Sequence, residues 1–122
     1  MIMTKLEEIW REQCAATVTI RSQYGERAAL DYLIGEKLLH FTSAARTRPE
    51  FAAQLPAFVA EARAMFSRES LMAYLTGLEA DLTEKSHEVD MEDTYLGSTA
   101  ISDLTSLKQI EDLLRADRLG TA

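Results

Sequence analysis

Apolar residues recur along most of this chain at steps of three and four, the period of an α-helix. The two-residue alternation of a half-buried strand is nearly absent, and β-branched residues gather only at Thr17, Val18, Thr19 and Ile20. A first helix is predicted from about Lys5 to Gln23, with Leu6, Ile9, Trp10, Gln13, Thr17 and Ile20 near one stripe. Thr4, with Glu7 three residues on, makes a capping box at its start, and Gly25 supplies the break after it. A second helix, from about Glu26 to Ala45, carries Leu30, Leu33, Ile34, Leu38, Phe41 and Ala45 on a wide apolar face that suits the centre of a bundle. Gly35 lies in its middle, where glycine costs about 1 kcal/mol against alanine. Two readings of Gly35 stay open: close approach of another helix, or a kink beside a ligand.

Arg46, Thr47 and Arg48 then form a turn before Pro49. Pro49 fits the first position of a short helix, 49–54, and Pro56 the first position of the next, 56–66, where its missing N–H costs nothing. That helix presents Phe58, Val59, Ala62, Met65 and Phe66. Ser67 reads as an N-cap, and Leu71, Leu75, Leu78 and Leu82 make a clean stripe over 68–85. Residues 86–97 lose the period and read as a loop. A last helix is predicted to start between Ser98 and Ser102 and to end near Arg118, before Gly120. Its inner face is Ile101, Leu104, Leu107, Ile110 and Leu114, and Arg115 and Arg118 suit its C-terminal dipole. The expectation is an all-α, single-domain bundle of five to six helices: a helical core over 24–85, an acidic loop over 86–97 and a C-terminal helix over 98–118.

Composition agrees with a folded domain: 122 residues, 47% hydrophobic and 27% charged, with five glycines and two prolines. Cys14 is the single cysteine, so no internal disulfide forms. No apolar run reaches the roughly 18 residues of a membrane helix, and the first residues lack the pattern of a secretory signal. A soluble cytoplasmic protein is expected. Charge changes the picture more. Residues 1–78 hold nine basic and nine acidic side chains, whereas residues 79–122 hold four basic and eleven acidic, so the whole formal charge of -7 lies in the last third. Direct binding to nucleic acid or to an anionic membrane is disfavoured, and a basic protein surface is the natural complement.

Candidate chemistry is sparse. Glu36 precedes His40 by four residues and Glu84 precedes His87 by three. A Glu-x-x-His pair is the unit of di-iron bundles, but such sites need two units, and Lys37 stands three before His40. Cys14, His40 and His87 have no paired zinc spacing, and the stretch from Asp90 has Tyr95 where a calcium loop needs glycine. A Cys14 nucleophile with His40 as base would lack an activating helix N-terminus. No phosphate-binding loop, dinucleotide fingerprint or nucleophile elbow is present. The expectation is a protein that is not an enzyme and uses no metal or cofactor. The strongest feature is acidic: Glu79, Asp81, Glu84, Glu88, Asp90, Glu92 and Asp93, opposed only by Lys85, with Tyr95, Leu96 and Met91 as candidate apolar anchors. Asp103, Glu111 and Asp112 extend it. It reads either as a solvated face that aids solubility or as a surface whose carboxylates imitate nucleic-acid phosphates for a basic partner.

The block made by Tyr24 and Gly25, Ala29 to Phe41, Arg48 to Phe51 and Leu55 to Glu61 resembles a block in small helical proteins of bacterial plasmids and integrated elements. It spans 24–61, about a third of the chain, and attaches no catalytic residue. Small acidic proteins of mobile elements include the anti-CRISPR inhibitors. The resemblance therefore implies an inhibitor or accessory protein that engages a host defence nuclease or CRISPR effector; the expected contact surface, residues 79–93 with Tyr95, lies outside the resembling block and is read from its charge. The alternative is a regulatory or structural homodimer joined through an exposed apolar face of Leu6, Trp10 and the Met65–Phe66 end.

Overall fold

A computed structural model describes the backbone of residues 4–87 and 94–121, and the side-chain surroundings of residues 4–85 and 102–115. Five helices and no strand make up these residues: α1 (Lys5–Tyr24), α2 (26–45), α3 (Pro49–Ala64), α4 (Arg68–His87) and α5 (Thr94–Thr121). The chain is thus an all-α, single-domain bundle, and none of its described helices is long and apolar enough to cross a membrane.

The local signals act as the sequence predicts. The Glu7 N–H donates to Thr4 Oγ1 at 3.2 Å and the Thr4 N–H donates to Glu7 Oε1 at 3.4 Å, closing the capping box. Gly25 has φ of 96°, a region that side chains avoid, and so α1 reverses into α2 over one residue. Pro49 opens α3. The Ser70 N–H donates to Ser67 Oγ at 3.2 Å and caps α4.

α2 departs from a plain α-helix. Glu26–Leu30 and Leu39–Ala45 are α-helical, but Asp31–Leu38 winds as a wider π-turn, and the Leu39 N–H donates to the Ile34 carbonyl five residues back. Leu33 and Ile34 are buried, and so are Leu38 and Leu39, five residues on. Five steps of an α-helix would swing a side chain about 140° away. The wider turn brings the second pair under the first, which puts Leu39 in the core. It also leaves Lys37 at the side, its Nζ 5.3 Å from the Tyr32 ring centre. Gly35 sits in this turn because α4 comes close. The Tyr74 hydroxyl occupies the place that a Cβ on residue 35 would take, with Tyr74 Cζ 3.7 Å from it. Of the two readings of Gly35, close approach is the one the structure shows.

Three expectations need correction. The helices 49–54 and 56–66 are one helix, α3, with Pro56 inside it. Proline's fixed φ fits a helix, but its ring removes the hydrogen bond to the Ala52 carbonyl and crowds that carbonyl, a cost of about 3 kcal/mol or more that core burial offsets. Leu55, Phe58, Val59 and Ala62, all buried, hold both halves on one core face. The last helix begins at Thr94 rather than 98–102 and runs to Thr121, past Gly97 and Gly120. Once α5 is nucleated by its packed centre, each added residue costs little, and glycine only about 1 kcal/mol. The 86–97 loop therefore shrinks: 86 and 87 end α4, 94–97 begin α5, and 88–93 lie outside the described residues.

The third correction concerns the proposed dimer face, which is core. Trp10 is 1% exposed, Leu6 9% and Phe66 8%. Trp10 stacks on Phe58 at 4.7 Å, meets Phe41 edge-on at 5.7 Å, and donates its indole N–H to Glu61 Oε2 at 2.5 Å. At the other end, Arg21 covers the Phe66 ring at 4.6 Å and donates to the Met65 carbonyl. The core consequently reaches beyond 24–85, taking Leu6 and Trp10 from α1 and Leu107 and Ile110 from α5. α5 is the brace of the bundle, packing along α4 and against α3 and the second half of α2. Arg46, just past α2, donates to Ser106 Oγ at 2.6 Å and to the Ser102 carbonyl at 3.2 Å.

Candidate functional site

Of the candidate acidic residues from Glu79 onward, those that are described lie on the α4–α5 pair. Glu79 is half-buried on the flank of α4 that faces α5, near Glu111. Burial pushes the Glu111 carboxyl above its ordinary value, and the Glu79 charge adds to the effect, while Arg115, at 3.7 Å, opposes it. Asp112 follows, exposed and 3.5 Å from Arg115. Asp103 is also raised by burial, with Arg46 and Lys85 pulling the other way.

Asp81 belongs to a different side. Residues two apart on a helix do not face each other. The Asp81 charge acts on Tyr74, whose hydroxyl donates to Asp31 Oδ1 at 2.9 Å. Burial, that bond and the two nearby carboxylates hold the Tyr74 hydroxyl protonated well above the usual tyrosine range. Arg27 completes this second cluster, 3.3 Å from Asp31 and over the Tyr74 ring. Glu84 is exposed in the last turn of α4. The leucine stripe of α4 thus separates Glu79, on the side of Glu111, from Asp81, on the side of Tyr74. Glu88, Asp90, Glu92 and Asp93 lie outside the described residues. Tyr95 lies in the first turn of α5, with its side chain outside the described ones.

The other candidate chemistries find little geometry. Burial, then the Glu61 charge, pushes the Cys14 thiol up to about 11, so it is a poor thiolate at neutral pH. Glu36 and His40 are exposed on α2. Among the described residues no three His, Cys, Asp or Glu side chains stand close enough to hold a metal ion.

Two grooves have little counterpart in the local signals of the chain, one of about 570 Å³ whose lining includes Gln13, Glu36 and His40 and one between α3 and α5. A groove of about 370 Å³ opens between α3 and α5, lined by Ala52, Leu55 and Pro56 on one side and Gln109, Asp112 and Leu113 on the other. The one local signal was Pro56, a proline within a helical run; the groove itself joins residues more than 50 positions apart.

No family model, curated protein or solved structure matches the chain.

Proposed function

We propose that this chain is a non-enzymatic, cytoplasmic binding protein of a mobile element, an inhibitor or accessory protein of anti-CRISPR type. It engages a basic, nucleic-acid-handling protein through the acidic α4–α5 half. The observation that carries this reading is where the charge sits in the fold. All of the net -7 belongs to residues 79–122. Glu79 and Glu111 are brought together across a helix pair although burial and like charge disfavour it. Glu84 occupies the last turn of α4, where the helix dipole disfavours a carboxylate. These placements cost stability, and a cationic surface docked on them offsets that cost while speeding association. A solubility role alone needs neither the pairing nor the helix end.

The chain immobilised as bait in a bacterial lysate is expected to retain a basic protein that salt releases. Replacing Glu88, Asp90, Glu92 and Asp93 with alanine should weaken that capture and flatten its dependence on salt. Equal affinity and an equal salt slope after the replacement would defeat the proposal.

A further inference from the structure

The groove of about 570 Å³ runs between α1 and α2 and falls within the range of about 300–1,000 Å³ that small-molecule sites occupy. Leu6 and Ile9 of α1, Phe41 of α2 and Phe51 of α3 supply its apolar lining, and Gln13, Glu36, Lys37 and His40 complete it. None of these four polar side chains makes a hydrogen bond or ion pair with another described residue. Gln13 is the sharpest case. Its amide oxygen is closed off from solvent and receives no hydrogen bond, a condition that folded proteins rarely leave in place. The last torsion of glutamine is soft, so rotation of the amide plane alone can turn that oxygen toward the groove the residue lines.

The wall from α2 is built by the wide turn, which contains Glu36 and Lys37, and by His40 and Phe41 just after it. Such turns recur at functional sites. Here the turn also decides the charge of the groove. The Lys37 ammonium lies over the Tyr32 ring, 5.3 Å from its centre, and so the neighbouring Glu36 carboxylate is left without a cation. An unpaired carboxylate, an amide oxygen lacking a donor, and aromatic and aliphatic walls together complement a primary ammonium on a compact apolar body. Its three N–H donors can bond both oxygens, and the Phe rings favour both the body and the charge.

We propose that the α1–α2 groove binds a small primary amine with an aromatic or branched apolar body, its ammonium shared between Glu36 and the Gln13 amide oxygen and its body against Ile9, Phe41 and Phe51. The site lies in the charge-balanced part of the chain and does not rest on the acidic α4–α5 reading.

The test is a titration of the ¹⁵N-labelled full chain with 2-phenylethylammonium chloride. Three comparators are titrated beside it: 2-phenylethanol, which lacks the charge; methylammonium chloride, which lacks the body; and Nα-acetyllysine methylamide, which carries its ammonium as a protein side chain does. The amine should move the amide signals of Ile9, Gln13, Glu36, His40 and Phe51 and bind at least about fivefold tighter than each comparator. Glu36→Gln should weaken it by about fivefold or more. Gln13→Met removes the unpartnered oxygen. It should raise the melting temperature while weakening the amine by about threefold, opposite signs that a merely structural glutamine would not produce. Equal affinity for 2-phenylethanol or methylammonium, unchanged affinity in Gln13→Met, or shifts that follow the carboxylates of α4 and α5 instead of the groove would overturn the site. Equal affinity for the lysine derivative would overturn the small-molecule ligand in favour of a side chain of a partner protein.

Discussion

Replacing Gly35 with alanine should destabilise the protein, yet the same replacement should stabilise it once Tyr74 is phenylalanine. Alanine is worth about 1 kcal/mol over glycine inside a helix. Against that, its Cβ would take the place of the Tyr74 hydroxyl. The hydroxyl must then give up its 2.9 Å bond to Asp31. A bond to a charged acceptor contributes about 1.5–3 kcal/mol when buried, and less here because Asp31 is 56% exposed. Moving a ring that is 7% exposed adds an overpacking cost of about 1–3 kcal/mol. The balance is a net loss of about 1–2 kcal/mol for Gly35→Ala. In Tyr74→Phe the conflicting atom is gone, and ring carbon Cζ, at 3.7 Å, is an ordinary neighbour for the new methyl. Alanine should then gain most of its 1 kcal/mol, for a coupling of about 2–3 kcal/mol. Urea unfolding of the four proteins, followed by Trp10 fluorescence and by circular dichroism, measures the cycle. Near-additive effects, or a Gly35→Ala that stabilises both backgrounds, would refute the reasoning.

Trp10→Ala should cost about 3–5 kcal/mol, because the indole stacks on Phe58 and fills the centre of the core; a shift in the urea midpoint worth less than about 1 kcal/mol would mean Trp10 is not central. Gly25→Ala should cost about 1–3 kcal/mol from its φ of 96°, and an unchanged melting temperature would show that the α1–α2 reversal tolerates a side chain. Glu111 has a folded pKa above its ordinary 4.5, so its contribution to stability is present below that value and is lost as pH rises through the folded value. Glu111→Gln should therefore melt higher than the parent at pH 7 and equal to it below about pH 4, and the same gap at both pH values would contradict the burial and Glu79 account.

What was legible in the sequence was local. Thr4 with Glu7, Ser67, Pro49 and Gly25 act within a few residues of themselves, so their roles could be read without a fold. The wide turn in α2 could not. Leu33, Ile34, Leu38 and Phe41 fit an α-helical stripe equally well, and only the buried doublets 33–34 and 38–39 reveal the step of five. Trp10 fits a core stripe and, in the alternative reading, a dimer surface equally well, because periodicity identifies an apolar stripe without saying what covers it; here Phe58 and Phe41 do. The start of α5 was missed because 94–101 lacks an apolar period and is carried by the packed helix that follows. Composition located the acidic segment, but whether Glu79 and Asp81 share a surface depends on which helix lies on each flank of α4. The groove at Pro56 is tertiary throughout.

The central claim, that the position of the charge matters and not only its total, is tested by two variants of equal net charge. One neutralises Glu79, Glu84, Glu88, Asp90, Glu92 and Asp93 with their amides. The other neutralises Glu8, Glu12, Glu26, Glu36, Glu50 and Glu69, which lie in the charge-balanced part of the chain. Fluorescence anisotropy of labelled octalysine at low salt compares them with the parent. The account predicts an affinity loss of about tenfold or more in the first variant and a small one in the second. Equal losses in both would show that net charge alone attracts cations to this protein, and would contradict the account.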